Sequence, residues 1–227
     1  ENQKVTGSET ITYTNNSPTT LKYFWVQLDQ NVRKKDADSH LISTNAPRSR
    51  MSFGQLKRLH NTFDGGFNID HVKDGNGDDY DFLVNKTMMR INLKQPLKKG
   101  ETAKIDIKWW YNINDRMKYG GRSGYEYFEK DDNYLYTIAQ FYPRMAVYNE
   151  VEGWQNKQFL GNGEFALAFG DYKVSITVPS DHVVASTGEL QNPNDVLTKE
   201  QQKLFEQAKT AKEPVIIITE KEARKKE

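Results

Sequence analysis

The chain has 227 residues, enough for one sizeable β domain or two small domains, so it can build a hydrophobic core without staples. Its 32 Lys and Arg stand against 31 Asp and Glu, and the formal net charge of +1 supplies no global field to draw in nucleic acid or an anionic membrane. The absence of cysteine excludes disulfide frameworks, thiolate zinc sites and cysteine nucleophiles while fitting cytosol and periplasm equally, and the longest apolar runs, PVIII and FALAF, are too short to span a bilayer.

The chain opens on Glu1 rather than Met and reaches a strand-like pattern within a few residues, which reads as a piece of a longer protein. In VTGSETITYTNNSPTTLKYFWVQLDQN, Val5, Ile11 and Tyr13 are spaced in steps of two. A turn cluster at Asn15-Asn16-Ser17-Pro18 follows, then a second run from Leu21 to Leu28, and the pattern predicts a β-hairpin. The stretch from Val32 to Asp64 is too polar and irregular for a strand and longer than an ordinary connection, with a helical turn expected near Phe53 to Leu59. DGNGDDYD, Asp74 to Asp81, has the alternating oxygens of a calcium loop but lacks the closing bidentate glutamate and helical flanks, so a glycine-rich turn is the simpler reading. KTMMRINLKQPLKKGETAKIDIKWWYNI repeats the hairpin design. Met89, Ile91 and Leu93 share one face, Pro96 to Gly100 form a turn, and Ile105, Ile107 and Trp109 occupy the return strand. NYLYTIAQ, DYKVSITVP, HVVASTGEL and PVIIITE are four more strand candidates. The single convincing helix follows the capping box Thr198-Lys199-Glu200-Gln201 and carries Leu204, Phe205 and Ala208. Eight or more strands with one late short helix predict an all-β, antiparallel sandwich-like domain over residues 1–220, and the charged residues 221–227 read as a cut linker.

Candidate chemistry is sparse. His40, His60, His71 and His182 have no metal-ligand spacing, and no H-E-x-x-H occurs. GNGEF lacks the Gly-Lys-Ser/Thr ending of a phosphate loop, and RSGYEYF is better read as a strand entry than as a nucleophile site. Glu150 and Glu152 sit two apart and would share a face in a strand, close enough to grip a cation or an amine, although solvated loop acids are the commoner case. Trp25, Trp109, Trp110 and Trp154 could line a sugar platform, but Trp109 and Trp110 point to opposite sides of a strand, so at least one belongs to the core.

Five motifs in order carry a resemblance. These are Y-x-N-N-S-P-x-x-L at Tyr13 to Leu21, GGRSG at Gly120 to Gly124, QFYPRMAVYNEVEGW at Gln140 to Trp154, GEFALAFGDYKVSITVP at Gly163 to Pro179, and VVASTGEL at Val183 to Leu190. Together, from about Val5 to Glu220, the chain resembles the N-terminal domain of the aminopeptidase N family of zinc metallopeptidases in its Bacteroidetes-type form. The resemblance implies a large saddle-like β domain that packs on a zinc-bearing catalytic domain of the same protein and forms one wall of a peptide cleft. Zinc and the catalytic residues would then lie in that missing domain, leaving no cofactor, catalytic residue or metal ligand in this segment.

In that family a Gln at a strand end, followed two residues later by an acid or a second Gln, lines the pocket for the substrate's first residue. Gln140 matches the Gln. The second position departs, because Tyr142 offers a phenol that can hydrogen-bond an ammonium group but carries no charge at neutral pH. Glu150 or Glu152 would be the substitute amine-binding carboxylates, and Pro143, Arg144, Gly153 and Trp154 would fix the loop. The expected partners are the catalytic zinc domain and a peptide substrate, with no nucleic acid and no membrane span. The expected location is the cell envelope or periplasm, with the cytoplasm left open. Two other readings stay open: a stand-alone β-sandwich module binding carbohydrate or protein, and a scaffold domain of a pseudo-peptidase.

Overall fold

A computed structural model describes residues 3–39, 50–54, 63–163 and 166–224. The chain divides into two compact units, Glu1–Gly170 and Asp171–Glu227. The first unit is built on two antiparallel sheets. One has the order β1-β6-β3, from β1 (Lys4–Thr14), β6 (Thr102–Asn112) and β3 (Asn68–Asp74). The other has the order β4-β5-β2-β9, from β4 (Asp81–Asn85), β5 (Met88–Leu97), β2 (Leu21–Gln27) and β9 (Arg144–Met145). The expected antiparallel, sandwich-like all-β class is what the chain adopts.

The core follows from period-two alternation in both sheets. Phe24 and Val26 of β2 and Met89 and Ile91 of β5 form one cluster with Ile105, Ile107, Trp109 and Tyr111 of β6, all buried. β1 is an edge strand whose inward residues Val5, Gly7, Glu9, Ile11 and Tyr13 are half-buried while Thr6, Ser8, Thr10 and Thr12 face solvent. Gly7 lies opposite Trp109, and a Cβ there would come within 2.4 Å of the indole. The missing side chain is what allows the ring to lie across the strand. Trp110, on the other face, is half-buried with the Lys4 ammonium 3.6 Å from its ring centroid.

Neither hairpin expected from the sequence forms. β1 pairs with β6 and β2 with β5, so the Asn15 to Pro18 turn and the Pro96 to Gly100 turn each carry the chain from one sheet to the other. Both are arches, and the fully buried Asn15 joins them. Its Nδ2 donates to the carbonyls of Thr19 (2.8 Å) and Leu97 (3.0 Å), its Oδ1 accepts from the Ser17 amide (3.0 Å), and its backbone exchanges bonds with Glu101 (3.0 Å) and Gly100 (2.7 Å). The inward faces are nonetheless those the alternation predicts, since the two sheets share one core. The hairpin that β5 does make is with β4, through a tight turn at Lys86 and Thr87 in which Lys86 has φ of +55°. Asp74 to Asp78 form a turn: Asp74 Oδ1 accepts from the amides of Asn76 (2.9 Å) and Asp78 (3.0 Å), and its Oδ2 holds Lys94 at 2.9 Å. With both oxygens engaged, this loop is a turn rather than a cation cage.

Two further hairpins complete the unit. β7 (Gly124–Phe128) and β8 (Asn133–Thr137) stack Tyr125 opposite Tyr136 and Tyr127 opposite Tyr134, the latter pair with centroids 4.8 Å apart. β10 (Tyr148–Asn149) and β11 (Gly153–Trp154) follow. A short helix, α1 (Arg116–Tyr119), capped by Asp115, precedes β7. Of the irregular region, Phe53 and Gly54 are helical, and the rest of that expected turn lies outside the described residues, as do His40 and His60.

In the second unit the predicted late helix is present as α3 (Lys199–Ala208), with both hydrogen bonds of the Thr198 and Gln201 capping box formed. Shorter helices flank it, α2 (Pro193–Val196) and α4 (Glu220–Ala223). The runs DYKVSITVP, HVVASTGEL and PVIIITE are not strands. They find no ladder partner among the described residues, and Val174, Ile176 and Val183 are exposed. Alternation gives a segment strand character, but a strand exists only when another chain segment takes its hydrogen bonds.

Candidate functional site

The site is organised by a polar run, Gln27-Leu28-Asp29-Gln30-Asn31-Val32-Arg33, where β2 ends and the chain tightens into a 3-10 helix over Asp29–Arg33. Gln27, Asp29, Gln30 and Asn31 are each no more than 2% exposed. Buried polar groups of this kind are costly without partners; Gln27 Nε2 and Asp29 Oδ1 have none among the described residues, and the other contacts reach into separate parts of the chain. Asn31 donates to the Lys86 carbonyl (2.6 Å) and accepts from the Phe67 amide (2.8 Å). Asp29 forms an ion pair with Arg144, which β9 brings alongside through the pairing of Gln27 with Arg144, and the guanidinium also reaches Gln27 Oε1 at 3.3 Å.

Gln30 reaches the candidate loop itself. Its Nε2 donates to the carbonyls of Ala139 (3.0 Å) and Gln140 (3.1 Å), while its Oε1 accepts from Arg33 Nη1 (3.3 Å). Ser123, buried, holds Ala139 from the other side: its hydroxyl donates to the Ala139 carbonyl (2.7 Å) and accepts from the Ala139 amide (2.8 Å). The indole of Trp109 donates to the Phe141 carbonyl at 3.1 Å. Three consecutive carbonyls, 139 to 141, are therefore fixed by buried side chains. Between them Gln140 has φ of +52°, the left-handed region that a non-glycine residue enters at a cost. Its side chain is half-buried and makes no hydrogen bond among the described residues. GGRSG forms the facing turn. Gly124, at φ of +151°, could not carry a Cβ, which would sit 2.6 Å from the Asn114 carbonyl oxygen, and one at Gly121 would meet Arg33 Nη2 at 2.6 Å.

The other candidate residues are dispersed. Tyr142 is half-buried against the core with its ring edge-on to Phe141, the centroids 5.0 Å apart. Phe141 is likewise packed on the core. Glu150 and Glu152 do not share a strand face. They stand, exposed, in the turn between β10 and β11, where Asn149 Oδ1 accepts from the amides of Val151 and Glu152 and the Glu152 carboxylate accepts from Gln155 Nε2 at 2.7 Å. No ion pair or hydrogen bond joins them to Gln140 among the described residues. Trp109 and Trp154 are core residues, so the four tryptophans form no common platform. The loop after β11 is tied down by Gln158, which accepts from the Thr87 amide (2.9 Å) and hydroxyl (2.6 Å) and donates to the Asn85 carbonyl (3.0 Å).

Burial sets the electrostatics. It raises the Asp29 carboxyl above its ordinary value, with Arg144 opposing by charge and hydrogen bond, and it pushes the Arg33 guanidinium down, with Tyr111 opposing. Arg33 has no carboxylate partner among the described residues, and the Tyr111 hydroxyl near it is buried without a hydrogen bond. On β1, Glu9 is desolvated until its pKa rises to about 8, and its Oε1 is buried with no partner. Among the described residues no group of three or more His, Cys, Asp or Glu could hold a metal ion, and no helix is long and apolar enough to cross a membrane.

The residues missed in the sequence are Gln30, Ser123 and Asn31. The available signal is QLDQN itself, four polar residues of five directly after a run that buries Phe24 and Val26, which is where a strand end carries its side chains inward to meet loops. The chain matches no family model, no curated protein and no solved structure. What fold and site define is a class, an antiparallel β-sandwich with a buried polar clamp on one loop.

Proposed function

We propose that this chain is the non-catalytic N-terminal domain of a zinc metalloaminopeptidase and forms one wall of the cleft that receives the first residue of a peptide. The observation that carries this reading is Gln140: a backbone held by side chains from β6, the 3-10 helix and the turn before β7, presenting a carboxamide that makes no bond of its own among the described residues. The exposed Glu150 and Glu152 give the amine-binding role no support within this chain, so the substrate's ammonium group is assigned to the catalytic domain. Tyr142, packed on the core, supports the loop. Zinc would supply Lewis-acid chemistry in that other domain, and the described residues offer no ligand set for it here.

The test is made on the complete gene product. Gln140→Ala should lower kcat/KM for release of an N-terminal residue from an amide reporter by roughly 10- to 100-fold through lost positioning, with zinc content and melting temperature unchanged. A gene product with no such activity, or a variant with unchanged kinetics, overturns the reading.

A further inference from the structure

The geometry points to Gln30 as the residue that positions Gln140: its carboxamide, donating to two successive carbonyls, holds the loop in the left-handed conformation that sets where the Gln140 side chain leaves the backbone. A non-glycine residue stays at positive φ only where its surroundings over-determine it. Here Gln30 supplies two of the donors, at 3.0 and 3.1 Å, and is 2% exposed, so water offers no ready replacement. A carboxamide can face a carbonyl with either end, and only the NH2 end binds it. Arg33 decides which end that is: its Nη1, an obligate donor, meets Gln30 Oε1 at 3.3 Å and leaves Nε2 for the loop. Arg33 is in turn held by the Ser123 carbonyl at 3.4 Å, and Ser123 grips Ala139. The chain of contacts thus runs Arg33 to Gln30 to Gln140, and returns through Ser123. Gln30 touches no substrate in this picture; it acts through Gln140, and its bearing on catalysis rests on the function proposed above.

Two measurements separate the clamp from that function. In the 227-residue chain, Gln30→Met keeps the volume and removes both donors. Backbone couplings and carbon shifts by NMR should then show Gln140 leaving the left-handed region and the Gln140 carbonyl losing its hydrogen-bonded shift, while the Ala139 carbonyl keeps the Ser123 hydroxyl. If that variant does not fold, Arg33→Met, which frees Gln30 to turn over, should give the same change in smaller measure. A Gln140 that keeps its positive φ in the variant that folds overturns the assignment. In the complete gene product, Gln30→Met should lower kcat/KM by roughly 10-fold or more, and adding it to Gln140→Ala should cost nothing further, because both act through one side chain. Fully additive losses overturn the positioning role. A gene product that releases no N-terminal residues overturns the proposed function alone, and the NMR result then decides the clamp by itself.

Discussion

At Gln140 the molecule holds a residue in a conformation it does not favour. Replacement by glycine, which enters positive φ without steric cost, should relieve that strain and raise stability by up to about 1 kcal/mol in urea denaturation, even as the carboxamide is lost. A lower midpoint would mean that the conformation is not strained. Glu9 carries a second residue-scale consequence. Its pKa rises from 4.5 to about 8 on folding, so the folded state holds the proton more tightly than the unfolded one. That contribution is fully present below pH 4.5 and is lost as pH rises through about 8. Stability should therefore fall by roughly 2–4 kcal/mol across this window after allowance for partial solvent access, and Glu9→Gln should flatten the profile and raise the alkaline melting temperature. A wild-type melting temperature that does not fall between pH 5 and pH 8 would contradict it.

At the scale of the elements, Asn15 is the joint between the two arches. Asn15→Ala leaves the Leu97 carbonyl and the Ser17 amide without their Asn15 side-chain partner, while the Thr19 carbonyl keeps the Ser17 hydroxyl, and should destabilise by about 2–4 kcal/mol in chemical denaturation with the sheets otherwise intact. A loss below about 0.5 kcal/mol, the level of an ordinary surface change, would show that the arches hold without it. Ile91, fully buried where the alternation places it, should cost about 2–5 kcal/mol when cut to Ala. These two residues mark what was legible in the sequence. Alternation in MMRINL and KIDIKWW correctly turns Met89, Ile91, Ile105, Ile107 and Trp109 inward, and misses only Met88, buried at the strand's start on the opposite parity. It is silent on which strand lies alongside, because arches and hairpins impose the same parity on the inward face. The capping box at Thr198 was readable for a local reason, since both its hydrogen bonds lie within four residues. Thr219-Glu220-Lys221-Glu222 is the same signal and forms the same cap, although its charged setting reads as linker. The left-handed Gln140 carries no local mark at all. Its cause lies 110 residues away in Gln30.

For the whole molecule, the function proposed above leads to a plain expectation. The purified 227-residue chain should bind no stoichiometric zinc and should leave amino-acid amide reporters intact. Chelator-sensitive cleavage by this chain would overturn the division of labour proposed for it. The pairing of β1 with β6 also governs how the chain must come into being. The first strand leaves the ribosome as residues 4–14, and its partner, residues 102–112, follows about 90 residues later. At ordinary elongation rates of about 5–20 residues per second, β1 waits on the order of 5–20 s with its backbone unpaired. Its charged Lys4, the ionisable Glu9 and the flexible Gly7 make it a poor template for aggregation in that interval. The same features that leave this strand at the edge of the finished sheet protect it while the sheet does not yet exist.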